Sequence, residues 1–219
     1  MGMWSVSLRR VWWVGVVLFG LPAGSLVHAQ AQADKPVVLI LGDSLSAGYG
    51  IRVDAGWVAL LERRLAEQGY EHRVVNASAS GETTGGARAR LPRALEVHRP
   101  DIVVIELGAN DGLRGLPLKQ MRDNLQYLIE TSQKAGARVV LVGMRMPPNY
   151  GAAYADAFHA LYGELAKKYD LPHVDFFLNG VALDETLMQS DGLHPSAQAQ
   201  PRLLENVWPA IESALRKTR

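Results

Sequence analysis

Val37-Val38-Leu39-Ile40-Leu41-Gly42-Asp43-Ser44-Leu45-Ser46 is the stretch whose reading decides the fold. Its first residues, Val37 to Leu41, are apolar without alternation, as in a strand covered on both faces. The run stops at Gly42, and small polar residues follow at once. Beyond them Trp57, Leu60, Leu61 and Leu65 recur at helical spacing, and Gly69 closes that helix. The unit is therefore strand, polar turn, amphipathic helix.

Working outward, the unit repeats. Val74-Val75 reads as a second strand, followed by a helix over 84–98. Pro100-Asp101 opens a third strand, Ile102-Val103-Val104-Ile105, and Leu118, Met121, Leu125, Leu128 and Ile129 stripe the next helix. Arg138-Val139-Val140-Leu141-Val142 is the fourth strand. A helix carrying Phe158, Leu161 and Leu165 leads to a brief fifth strand near His173-Val174-Asp175. The last helix is expected from Pro195 to Leu215, with Leu204, Val207, Ile211 and Leu215 inward. Such alternation specifies an α/β fold: a parallel sheet between two helical layers, joined by right-handed crossovers. No Pro/Gly/Ser-rich linker or repeat interrupts it, so residues 34–219 are expected to form a single domain. In such sheets ligands collect beyond the carboxyl ends of the strands.

Residues 1–29 read as a signal peptide. Arg9 and Arg10 end a basic region, Val11 to Leu21 is apolar, and Pro22 and Gly24 break the run. Cleavage is expected after Ala29 or Ala31. The apolar run spans about 16 Å as a helix, roughly half a hydrocarbon core. An uncleaved anchor is the competing reading; cleavage leaves no stable membrane span. Export makes the protein periplasmic, or secreted beyond the periplasm. The chain has no cysteine, which removes disulfides, thiolate metal sites and a Cys nucleophile together. Lys and Arg number 23 against 22 Asp and Glu, so no positive field exists to gather phosphate backbones, and nucleic acid is not an expected partner. Removing residues 1–29, with two arginines and no acid, turns the net charge from +1 to −1.

Four segments bring small, polar and titratable residues to one rim: Gly42-Asp43-Ser44-Leu45-Ser46, Ser80-Gly81-Glu82-Thr83, Gly108-Ala109-Asn110-Asp111-Gly112 and Asp191-Gly192-Leu193-His194-Pro195. Each alone is a turn or a helix cap. Together they supply what acyl transfer needs: a hydroxyl, an imidazole to take its proton, and a carboxylate to fix the imidazole tautomer. A turn at Gly192 brings Asp191 within reach of His194. Pro195 suits the first position of the final helix, which would place His194 at that helix's N-terminus. The helix end then disfavours imidazolium and Asp191 favours it, with Asp191 the stronger. Gly81 can bring its N–H close to a ligand, Asn110 offers an amide, and Ser44 its own N–H, as an oxyanion hole requires.

These four blocks resemble the SGNH (GDSL) hydrolase superfamily, in its bacterial periplasmic acyl-CoA thioesterase, lysophospholipase and arylesterase branch. The resemblance spans residues 37–210. It implies Ser44 as nucleophile, His194 as general base and acid, Asp191 as its orienter, and Ser44 N–H, Gly81 N–H and the Asn110 amide as oxyanion hole. It also implies a flavodoxin-like three-layer α/β/α sandwich with a five-stranded sheet in order 2-1-3-4-5, no metal or organic cofactor, and fatty acyl, aryl or lysophospholipid esters or thioesters as substrates. Glu82 departs from the branch, where Asp often follows the glycine, and the difference falls on the loop holding Gly81.

Leu113, Met146, Pro147 and Tyr150 are the candidates for an acyl groove, from loops after the third and fourth strands. Packing of Met146 and Tyr150 against the sheet competes with that reading. Glu106 reads as a hydrogen-bonded structural carboxylate, because burial in an apolar strand demands a partner. Two other classes compete. Asp43, Asn110, Asp111, Asp191 and His194 could hold a divalent metal for phosphoester hydrolysis, but Ser44 would then have no task. A non-catalytic binding module would lack the Gly-rich phosphate fingerprint and leave the triad idle.

Overall fold

Strand β1, Val37–Gly42, is buried at every position, as its unbroken apolar run requires. A computed structural model of the chain describes residues 1–2 and 35–216; the leader and both cleavage positions lie outside the described residues. From Lys35 onward the chain forms one compact unit. Strands β2, Arg73–Asn76, and β3, Ile102–Glu106, flank β1; β4, Arg138–Val142, and β5, His173–Val174, continue from β3. All pairings are parallel and the order is 2-1-3-4-5, as the resemblance implies. β3 is buried throughout, whereas the edge strand β2 keeps no fully buried residue, which accounts for its short apolar signal.

Helix α1 is a single turn, Ser44–Ala47, and α2 runs from Trp57 to Glu67. Helices α3, Thr84–His98, α4, Ala109–Leu113, and α5, Leu118–Lys134, follow β2 and β3. Helices α6, Ala152–Tyr169, and α7, Gln200–Arg216, complete the set. α2 packs with α7, while α5 packs with α3 and α6, giving a layer on either side of the sheet. Trp57, fully buried, meets Phe177 edge-on at 5.6 Å, and its backbone N–H donates to Gln200 Oε1 at 3.0 Å, which joins the starts of α2 and α7. Among the described residues no helix is long and apolar enough to cross a membrane.

The final helix starts later than the sequence suggests. Pro195 does not open it. Pro195 pairs with Met188 in an antiparallel bridge, flanked by Gln189 N–H to His194 O at 2.7 Å and Ser196 N–H to Leu187 O at 2.7 Å. Those bonds hold Ser196 extended, so a 3-10 turn at Ala197–Ala199 intervenes and α7 begins only at Gln200. His194 therefore sits on a paired loop, away from the start of α7.

Strand order reverses between β1 and β3, and the crevice beyond their carboxyl ends is where such sheets take ligands. The ends of β1 and β3, Gly42 and Glu106, lie side by side there.

Candidate active site

Asp43 is the N-cap of α1: its Oδ1 accepts from Leu45 N–H at 3.0 Å, so the helix begins on Ser44 and presents that hydroxyl at the crevice. Gly48, in the left-handed region at φ 76°, ends the turn. The second half of the site arrives 150 residues later. Asp191 Oδ1 accepts from the N–H groups of Leu193 (2.9 Å) and His194 (3.0 Å), an Asx-type turn that places Gly192 at φ 66°. The other oxygen, Oδ2, lies 2.6 Å from His194 Nδ1, and His194 Nε2 lies 2.9 Å from Ser44 Oγ. The three side chains thus form one continuous hydrogen-bonded chain. These donors hold the Asp191 carboxyl down at about 2, the His194 backbone N–H most of all.

Two connections that sequence reasoning missed hold the histidine loop. Gln189 Nε2 donates to Tyr49 O (2.8 Å) and Pro195 O (3.0 Å), tying that loop to the segment after α1. A Cβ at Gly50, φ 73°, would fall 2.0 Å from Gln189 Oε1, so that glycine is what admits the amide. The Tyr49 ring packs against the imidazole with centroids 4.5 Å apart and planes tilted by 38°. Neither residue stands in one of the four blocks, and only their distant partners disclose them.

Gly81 follows β2 at φ 76°, and Asn110 lies in α4 after β3. Among the described residues no oxygen accepts from the Ser44 or Gly81 N–H groups. Asn110 Nδ2 donates one hydrogen to Asp43 Oδ2 at 3.0 Å, leaving the other for a ligand. Asp111 clamps the two segments together, accepting from Thr84 N–H (2.9 Å) and Thr84 Oγ1 (2.5 Å). Arg114 donates to Gly81 O at 2.8 Å, and Glu82 pairs with Arg90 at 2.6 Å; both restrain the Gly81 loop.

Beneath Ser44 lies a second carboxylate. Glu106, fully buried, accepts from Ser46 Oγ at 2.6 Å and more weakly from Asp43 N–H at 3.4 Å. It is the hydrogen-bonded carboxylate the sequence suggests, although Oε1 has no partner. Burial, then the nearby Asp43 charge, pushes its pKa well up. Burial likewise raises Asp43 to about 6, against the opposing pull of the Leu45 N–H, the His194 charge and the Asn110 amide. Gly42 is required here: a Cβ would lie 2.7 Å from Ser46 Oγ and 2.8 Å from Glu106 Oε2.

The acyl-groove candidates divide. Met146 is buried beneath α4, where a Cβ on Gly112 would lie 2.3 Å from its sulfur. Leu113 and Pro147 are exposed, and Tyr150 is half-buried, its Oη donating to Leu113 O at 3.3 Å. Arg145 is paired with Asp175 at 2.7 Å. The oxygens of Asp43 and Asp111 are already committed to N–H and O–H donors. Among the described residues no group of three or more His, Cys, Asp or Glu is arranged to hold a metal ion.

The chain is similar to known proteins over most of its length. The chain is 49% identical over 191 residues to Esterase TesA of Pseudomonas aeruginosa, covering 87% of this chain and 95% of that protein. It is 44% identical over 185 residues to thioesterase 1/protease 1/lysophospholipase L1 of Escherichia coli K12, covering 84% and 86%. The crystal structure of a psychrotrophic esterase EstA from Pseudoalteromonas sp., inhibited by monoethylphosphonate, superposes with a TM-score of 0.78 at 42% identity, covering 82% of this chain and 98% of that one. Residues 40–201 match the model of the GDSL-like lipase/acylhydrolase family, and the chain belongs to that family.

Proposed function

We propose that the protein hydrolyses carboxylic esters and thioesters through a covalent acyl-enzyme, with Ser44, His194 and Asp191 as the catalytic triad. The observation that carries this reading is the unbroken chain Ser44 Oγ, His194 Nε2, His194 Nδ1, Asp191 Oδ2 at 2.9 and 2.6 Å. In it Asp191 fixes the tautomer with its proton on Nδ1, so Nε2 accepts the serine proton as Oγ attacks the acyl carbon. The N–H groups of Ser44 and Gly81 and the Asn110 amide receive the oxyanion. Collapse of the tetrahedral intermediate releases the alcohol or thiol, protonated by His194. Water then repeats the sequence on the acyl-enzyme and frees the acid. Leu113, Pro147 and Tyr150 border the acyl chain. The names of the relatives support oxygen esters, thioesters and lysophospholipids as the range of substrates.

A serine-directed phosphonate tests the reading. It should add one phosphonyl group to Ser44, seen by peptide mass, and abolish hydrolysis of p-nitrophenyl esters. Ser44→Ala should be inactive and unlabelled with an unchanged thermal midpoint. Labelling elsewhere, or a Ser44→Ala protein that still turns over, contradicts it. The reading includes export through the leader. Protein recovered from a bacterial periplasm should then begin at Gln30 or Gln32, and an intact Met1 terminus counts against cleavage.

A further inference from the structure

The leaving group has a direction in this site, and the side chain waiting along it is Tyr49. The inference rests on the triad reading above. Ser44 Oγ forms the new bond to the acyl carbon while its proton passes to His194 Nε2. The bond from that carbon to the leaving oxygen or sulfur then breaks, and the same Nε2–H proton goes to the departing atom. That atom must come within hydrogen-bond reach of Nε2, where Ser44 Oγ already lies at 2.9 Å. Whatever it carries emerges beside the imidazole. One half-exposed aromatic side chain lies against that ring: Tyr49, its centroid 4.5 Å from the imidazole's with the planes tilted by 38°.

Tyr49 is held by its backbone, and its ring, one side against the imidazole, is otherwise open to solvent. Its N–H donates to Ser44 O at 3.1 Å, and its carbonyl accepts from Gln189 Nε2 at 2.8 Å. The residue is 53% exposed, and its hydroxyl has no hydrogen-bond partner among the described residues. A rigid backbone presenting a bare aromatic face suits stacking against a flat, apolar group. We infer that Tyr49 forms a leaving-group subsite that selects esters and thioesters whose alcohol or thiol part bears an aromatic ring near the reacting atom.

A second role for the same ring, holding the imidazole in place, makes a different prediction, because the imidazole serves both half-reactions. The leaving group is present only during acylation. Benzyl acetate and ethyl acetate share their acyl group and release alcohols of similar acidity. Tyr49→Ala should lower kcat/KM for benzyl acetate by about 2- to 13-fold more than for ethyl acetate, the worth of one aromatic pair. Decay of the acetyl-enzyme, formed with p-nitrophenyl acetate and followed before steady state, should be unchanged. Tyr49→Phe should keep the wild-type ratio, and Tyr49→Leu should lose it, which serves if the alanine variant proves unstable. Equal losses on both esters together with slower deacylation would make Tyr49 a prop for His194 and overturn the subsite, as would no change at all. Failure of the wild-type protein to form an acetyl-enzyme on Ser44 would instead bring down the triad reading, and the subsite with it.

Discussion

Asp43 divides its carboxylate between two duties, capping α1 through Oδ1 and aiming the Asn110 amide through Oδ2. Because burial raises its pKa to about 6, the folded protein takes up this proton as pH falls through 6, whereas the unfolded chain waits until about 3.8. Stability is therefore gained as pH falls across that window. Asp191 behaves in the opposite sense: held at about 2, it loses its contribution as pH falls from 3.8 towards 2. Asp43→Asn keeps a capping oxygen but turns an amide donor towards the Asn110 donor. Turnover should fall towards the 10²–10³-fold loss typical of removing one oxyanion donor. Thermal midpoints at pH 7, 6 and 5 should move in favour of wild type as the pH drops; a constant offset between the two proteins would show that Asp43 does not titrate there.

Elements announce themselves where a periodic pattern meets a covered face. β1, β3 and β4 are readable because each is a continuous apolar run in the sheet interior, and α5 and α7 because their apolar stripes repeat. The start of α7 is not readable, since Pro195 satisfies the rules for a first helical residue and only its pairing with Met188 overrides them. Helix α3 ends on an unusual residue: Arg99, exposed, lies in the left-handed region at φ 43° with its N–H on Leu95 O. A side chain there costs about 1–2 kcal/mol, partly offset by the greater freedom glycine loses on folding. Arg99→Gly should thus stabilise the protein by up to about 1 kcal/mol, raising the melting midpoint by roughly 2–4 °C. A lower midpoint would reveal a contribution from the arginine side chain that outweighs its backbone strain.

At the scale of the molecule, the chemistry-bearing residues are legible and their supports are not. Ser44, Gly81 and Asn110 announce themselves by type and by position after strands, and Asp191 and His194 by their type and close spacing ahead of the last helix. Tyr49, Gln189, Arg114 and the Ser46–Glu106 pair acquire meaning only when segments up to 140 residues apart meet. Met146 is packed in the core, and an apolar side chain in a loop reads the same whether it faces a ligand or the core. The Gln189 amide has a further consequence. Histidine and serine reside on separate pieces of backbone, and among the described residues the hydrogen bonds joining the loop of Asp191 to the segment of Ser44 and Tyr49 are this latch and the His194–Ser44 bond. Segments of that kind detach at lower cost than the sheet they rest on. On warming, the enzyme should be disarmed before it melts: hydrolysis lost a few degrees below the loss of helical circular dichroism, recovered on cooling, with Gln189→Ala widening the interval. Coincident midpoints in both proteins would mean that the latch and the sheet let go as one.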